Sequence, residues 1–147
     1  MAISSFEAAK KVCELSNWTI TNLKLQKILY ILHLSYLGEK DELLVRDDFE
    51  AWHYGPVLPS LYDKLKIFSN RPITNIFYNT TVEEETREIS FIKENYKEIA
   101  SKSAWDLVLM THLKGGAWEK HYDCAGKGIK IPSEDIKKEY EDFYARP

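Results

Sequence analysis

His121 and Cys124 stand three residues apart with Asp123 beside them. A thiol and an imidazole at that spacing can make a thiolate nucleophile or half of a metal site. A structural zinc site needs four ligands, and no second short-spaced pair follows, so the pair reads as a loop coincidence. Asp48 and Glu50 form the D-x-E of a metal nuclease. No suitably placed lysine completes that set, and the two carboxylates alternate with the other face of a strand. His33 lies in a run that is apolar on every side and reads as a satisfied core histidine. His53 and His112 have no local partner, and only the fold can bring them together. Gly126-Lys127-Gly128 lacks the second half of a Walker loop, and no G-x-S-x-G elbow occurs. The inventory supplies no catalytic residue, no metal ligand set and no cofactor site, so the chain reads as a non-enzyme.

The densest chemistry is aromatic. "FEAWHYGPVLPSLYDKL", Phe49 to Leu65, gathers Trp52, His53, Tyr54 and Tyr62 around Gly55-Pro56. Gly permits unusual φ and Pro fixes the next one, so the run suits a strand-to-helix corner pinned on a core. Trp and Tyr also dominate binding hot spots, so the same run suits a partner-binding surface. As a strand, Phe49, Ala51 and His53 share one face, and Glu50, Trp52 and Tyr54 the other. The first face is small and suits a core. Trp52 and Tyr54 are then free to meet a partner, or to pack on Lys27 and Tyr30.

Helices must position this run. Ser4 with Glu7 has capping-box spacing, which predicts a helix over 5–16 broken at Asn17 and Trp18. Thr21 caps the next helix, "NLKLQKILYILHLSYL", which ends at Gly38. Leu25, Ile28, Leu29, Leu32 and Tyr36 form one stripe, while Leu23, Ile31, Leu34 and Leu37 fill other faces. A helix apolar nearly all round is buried all round, so this is the central helix. Strands are expected at "LLV" and at Phe49 to Tyr54, the second ended by Gly55-Pro56. Pro59 opens a helix. Thr81 with Glu84 predicts another, Ser103 with Asp106 a third that carries His112 and runs up to Gly115-Gly116, and Ser133 caps the last. The expected fold is mainly α: a compact bundle of about six helices around a buried central helix, with at most a small β-hairpin near residues 43–54.

The 147 residues fit one domain over 1–147 with no accessory domain. Net charge of −3 with only four Arg argues against nucleic acid as a partner. Lys127, Lys130, Lys137 and Lys138 make the one candidate basic patch, and Glu134, Asp135 and Glu139 dilute it. Two cysteines are too few for a disulfide framework, the N-terminus has no signal-peptide pattern, and no apolar run spans a bilayer. A cytoplasmic protein without a membrane partner is expected.

Four segments together, "TNLKLQKILYILHLSYLGEK", "EAWHYGPVLPSLYDKLK", "SAWDLVLMTHLKGGAWEK" and "IPSEDIKKEYEDF", resemble the Panacea domain, also called the SocA-like antitoxin-associated domain. The resemblance runs from about Phe6 to Phe143. It implies a bacterial or phage antitoxin that neutralises a cognate toxin protein, usually encoded next door. It also implies the alternative of an adaptor delivering the toxin to a host protease. An uncharacterised enzyme using His53, Asp48, Glu50 or Cys124 and a DNA-binding repressor are the rivals from other classes. A small toxic reading frame beside the gene favours the first two. The expected partner-binding set is Trp52, His53, Tyr54, Gly55, Pro56 and Val57, with Lys27 and Tyr30.

Overall fold

The computed structural model describes residues 1–123 and 128–145. Ser4 caps α1 (Ser5–Leu15) through the Glu7 N–H, and Asn17 and Trp18 stop it by taking left-handed backbone at φ 56° and 58°. Thr21 caps α2 (Asn22–Lys40), the longest helix, by accepting from the Lys24 N–H. β1 (Glu50–Trp52), β2 (Gly55–Val57), α3 (Pro59–Leu65) and a 3-10 turn (Lys66–Phe68) follow. After an irregular stretch with several turns come α4 (Arg87–Ala100), α5 (Ala104–Thr111), α6 (Ala117–His121), β3 (Ile129–Lys130) and α7 (Ser133–Phe143).

The mainly α architecture follows from α2. Thirteen of its residues are buried, on every face, and α1, α3, α4, α5, α7 and β2 all pack on it. The surrounding helices need only one apolar stripe each. α4 presents Ile89, Phe91 and Ile92, and α7 presents Ile136. Among the described residues there are seven α-helices and one three-stranded antiparallel sheet in the order β2-β1-β3.

Several local expectations shift, each for a tertiary reason. The hairpin lies at residues 50–57 rather than 43–54, because Gly55-Pro56 continues pairing instead of ending it: Trp52 faces Gly55 across a two-residue turn of His53 and Tyr54. Val45, in the "LLV" run, makes a single parallel bridge to Ile3. Thr81 and Glu84 do not start α4. Glu84 is drawn to Lys11 of α1 at 2.9 Å and the Glu83 N–H to Glu7, so Thr86 becomes the cap. Ser133 is the first residue of α7 and Pro132 takes the cap position. α6 was not expected; the helix predicted to run up to Gly115-Gly116 ends at Thr111.

Gly38 does not end α2 either; Asp41 does, in left-handed backbone at φ 56°. Gly38 is there for contact. A Cβ at this position would lie 2.1 Å from the Tyr140 ring of α7, so the two helices meet with an aromatic face directly on bare backbone. Gly to Ala in an ordinary helix interior stabilises by about 1 kcal/mol. Gly38→Ala should do the reverse, costing about 1–3 kcal/mol through overpacking. Urea unfolding measures this, and a Gly38→Ala protein as stable as wild type would show that the α2–α7 contact is loose.

Candidate functional site

Phe49 and Ala51 turn into the core, as the strand period requires, and Trp52 lies half-buried on the opposite face. Its ring meets Tyr62 of α3 edge-on at 4.9 Å, and its indole N–H donates to Glu50 at 2.9 Å. At the turn, Tyr54 is 60% exposed. His53 packs against Tyr54 at 4.7 Å between ring centres, and its Nδ1 lies 3.0 Å from the Tyr122 hydroxyl. Tyr122 stacks on Trp118 of α6, whose indole N–H donates to the Trp52 carbonyl at 2.6 Å. His112, at the end of α5, completes the group with its ring 3.8 Å from Trp118 and its Nε2 3.4 Å from the His53 carbonyl. The fold thus brings His53 and His112 together. Trp118 and Tyr122 escaped the sequence reading, although their i, i+4 spacing in "GGAWEKHY" puts both rings on one side of a short helix.

The back of the hairpin is held by buried polar groups. Gln26 accepts from the Leu58 N–H at 2.9 Å and donates to Asn22. The Lys27 amine donates to the Pro56 carbonyl at 2.7 Å. Pro56 has no N–H to give a ladder and sits on an edge strand, where that loss is tolerated. Gly55 is at φ +114°, and a Cβ there would lie 2.8 Å from the Thr111 hydroxyl and 3.0 Å from Lys27 Cε. Both the backbone angle and the close approach require glycine. Between this floor and the rings of Trp52 and Tyr62 lies a pocket of about 410 Å³.

Of the expected partner-binding set, the pocket brings together Trp52, His53, Tyr54, Val57 and Lys27. Tyr30 does not belong at a surface. It is fully buried, meets Phe49 edge-on at 5.2 Å and donates to Glu139 at 2.9 Å. Its position on α2 points it toward α7 instead. Gly55, Pro56, Val57 and Lys27 are buried as well and support the turn from behind. A larger groove of about 600 Å³ runs elsewhere, between α2, α4, α5 and α7.

The residues weighed for other chemistry are engaged separately. Asp48 pairs with Lys130 at 3.2 Å, while Glu50 accepts from Trp52. His121 lies 2.6 Å from Asp135. Cys124 and the Gly126-Lys127 pair lie outside the described residues. In the basic patch, Lys137 pairs with Asp41 and Lys138 with Asp142. His33 is buried, accepts from the Val45 N–H, and is pushed down to about 4 by burial. Burial pushes the Cys13 thiol up to about 12, away from thiolate reactivity. Among the described residues no helix is long and apolar enough to cross a membrane.

Residues 25–119 match the family described as "Antitoxin SocA-like, Panacea domain". The chain is 33% identical over 137 residues to Antitoxin SocA of Caulobacter vibrioides, covering 82% of this chain and 72% of that protein. No solved structure matches. The matched range contains Lys27, the hairpin, Tyr62 and Trp118, and leaves out Tyr122.

Lys27 gives the site a pH signature. Burial lowers its amine from 10.5 to about 7. Between those values the unfolded chain binds a proton that the folded chain refuses, so this lysine makes stability fall as pH drops from about 10 to 7. The penalty at pH 7 is on the order of 3–5 kcal/mol, against about 1–3 kcal/mol for orphaning the Pro56 carbonyl. Lys27→Met is therefore expected to match or exceed wild-type stability at pH 7 and to fall below it at pH 10. Denaturant unfolding at both values checks the crossing. A gap independent of pH would mean that the folded protein keeps the ammonium charged throughout.

Proposed function

The chain belongs to the antitoxin SocA-like, Panacea-domain family, and from that premise we propose that it is an antitoxin that neutralises a cognate toxin protein by direct binding. The observation that supports this most is the hairpin turn. Its backbone is fixed from behind by Lys27 and Gln26 and from the side by Trp118, while Tyr54 at its tip is 60% exposed. A rigid exposed Tyr with neighbouring rings is what binding hot spots are made of, because little conformational freedom remains to be lost on association. In this reading Tyr54 and the outer edges of Trp52, His53 and Tyr62 touch the toxin. Lys27, Gly55, Pro56 and Val57 hold their geometry. A stoichiometric inhibitor also needs an interface of roughly 1,200–2,000 Å², so the contact extends beyond the turn onto α3 or α6.

Two substitutions separate contact from support. Tyr54→Ala is expected to keep the melting temperature within a few degrees, since exposed positions rarely shift stability by more than about 0.5 kcal/mol. It should abolish growth rescue when co-expressed with the toxin encoded beside it. Trp52→Ala removes the Tyr62 and Glu50 contacts and should lose both stability and rescue. Tyr54→Ala that folds normally and still rescues would place the toxin surface elsewhere. Rescue by the wild type that disappears in a host lacking its energy-dependent proteases would replace inhibition by delivery for degradation.

A further inference from the structure

The charge distribution around the pocket at Trp52 and Tyr62 runs against the rest of the molecule. The chain carries 23 Asp and Glu against 20 Lys and Arg. Yet no acidic residue lines the pocket, while Lys27 closes its floor and Lys66 stands at its rim. Lys66 keeps one contact, 3.5 Å from Asp63, in which both side chains are exposed and solvent-screened. Lys27 donates to the Pro56 carbonyl and pairs with no carboxylate among the described residues. The walls are the aromatic and aliphatic faces of Trp52, Tyr62, Val57 and Leu23, with Asn22 and Asn70 also lining the space. Low-dielectric walls around one sign of charge focus a field into the space between them. At about 410 Å³ the space has the size of a small ligand site, enough for a few side chains and not for a helix.

We propose that this pocket takes an acidic anchor from the toxin: a Glu or Asp side chain with apolar neighbours in sequence. Its carbon stem lies on Trp52 and Tyr62, and its carboxylate sits in the field of Lys27 and Lys66. This rests on the antitoxin reading for the source of the anchor, and on the pocket alone for its chemistry. Such an anchor explains why a buried lysine is kept without a counter-charge: the missing carboxylate arrives with the partner. A basic segment would set like charge against Lys66, and a purely apolar one would bring Lys27 no carboxylate, so the pocket selects as well as binds.

The capped tripeptides acetyl-Leu-Glu-Leu-amide and acetyl-Leu-Gln-Leu-amide serve as probes. The Trp52 indole N–H is followed by NMR at pH 6, below the value of about 7 to which burial lowers the Lys27 amine. The Glu peptide should shift that resonance saturably, with an affinity on the order of 1 mM and at least about tenfold tighter than the Gln peptide. Lys66→Ala should reduce that preference about threefold or more. Equal affinities, no saturable shift, or an unchanged preference in Lys66→Ala would overturn the proposal. Rescue assays keep the two readings apart. Lys66→Glu should fold and weaken rescue. If wild type and Lys66→Glu rescue equally, the acidic anchor is wrong and the antitoxin reading stands. If wild type itself fails to rescue, the antitoxin reading falls, and the peptide titration still decides what the pocket binds.

Discussion

A helix buried on every side has to satisfy its polar side chains inside the protein, and in α2 four of them do so by seizing different neighbours. Lys27 takes the Pro56 carbonyl of β2, Tyr30 takes Glu139 of α7, and His33 accepts from Val45. Tyr36 lies within hydrogen-bonding reach of Glu88 in α4. These four positions are spaced by three, so each is turned by about 60° from the one before. The polar contacts wind around the helix and touch the layers in succession. Leu25, Ile28, Leu29 and Leu32 fill the space between them. An unmade buried hydrogen bond costs about 1–3 kcal/mol, so each contact fixes where its neighbour docks more sharply than apolar packing could.

The hairpin inherits this rigidity. Glu139 accepts from Tyr30 and from the Ala117 N–H at the start of α6, so α2 positions α6 through α7. α6 in turn carries Trp118 to the Trp52 carbonyl. The hairpin is therefore held twice by the same helix, directly by Lys27 and Gln26 and indirectly through Tyr30, Glu139 and Trp118. Burial raises the Glu139 carboxyl above the ordinary carboxylate range. A protein that spends two buried ionisable groups on one short hairpin is arranged to keep its turn in one conformation, and preorganisation of this kind converts directly into affinity.

The central helix was legible because its signal is local: apolar residues on all faces between a Thr cap and a polar exit. The caps at Ser4, Thr21 and Ser103 were legible for the same reason. The alternation that buries Phe49 and Ala51 and leaves Trp52 outside needed only the strand period. His53, expected on the core face, lies exposed because the strand ends at Trp52 and His53 enters the turn. What escaped was decided by residues distant in sequence. Thr81 has the capping-box spacing that Thr86 lacks, and Lys11, 73 residues before Glu84, draws that glutamate away and leaves Thr86 to cap α4. Gly38 has the look of a helix end, and its real reason is an aromatic ring of α7. Tyr30 is expected beside the surface and is buried against Glu139 instead, because no local rule reveals a carboxylate 109 residues later. Trp118 and Tyr122 were hidden for the same reason, since α6 approaches the hairpin only through tertiary contact.

The central claim is that α2 holds the hairpin rigid so that its turn and adjoining pocket receive the toxin. Hydrogen–deuterium exchange of the chain alone and in complex with the toxin tests it most directly. The account predicts slow exchange at 55–58 in the free protein, where Leu58 already donates to Gln26. It predicts new protection on binding at 52–54 and 62–70, which border the pocket. Protection confined to 95–102 and 140–145, along the groove between α4 and α7, with 52–54 and 62–70 unchanged, would contradict it.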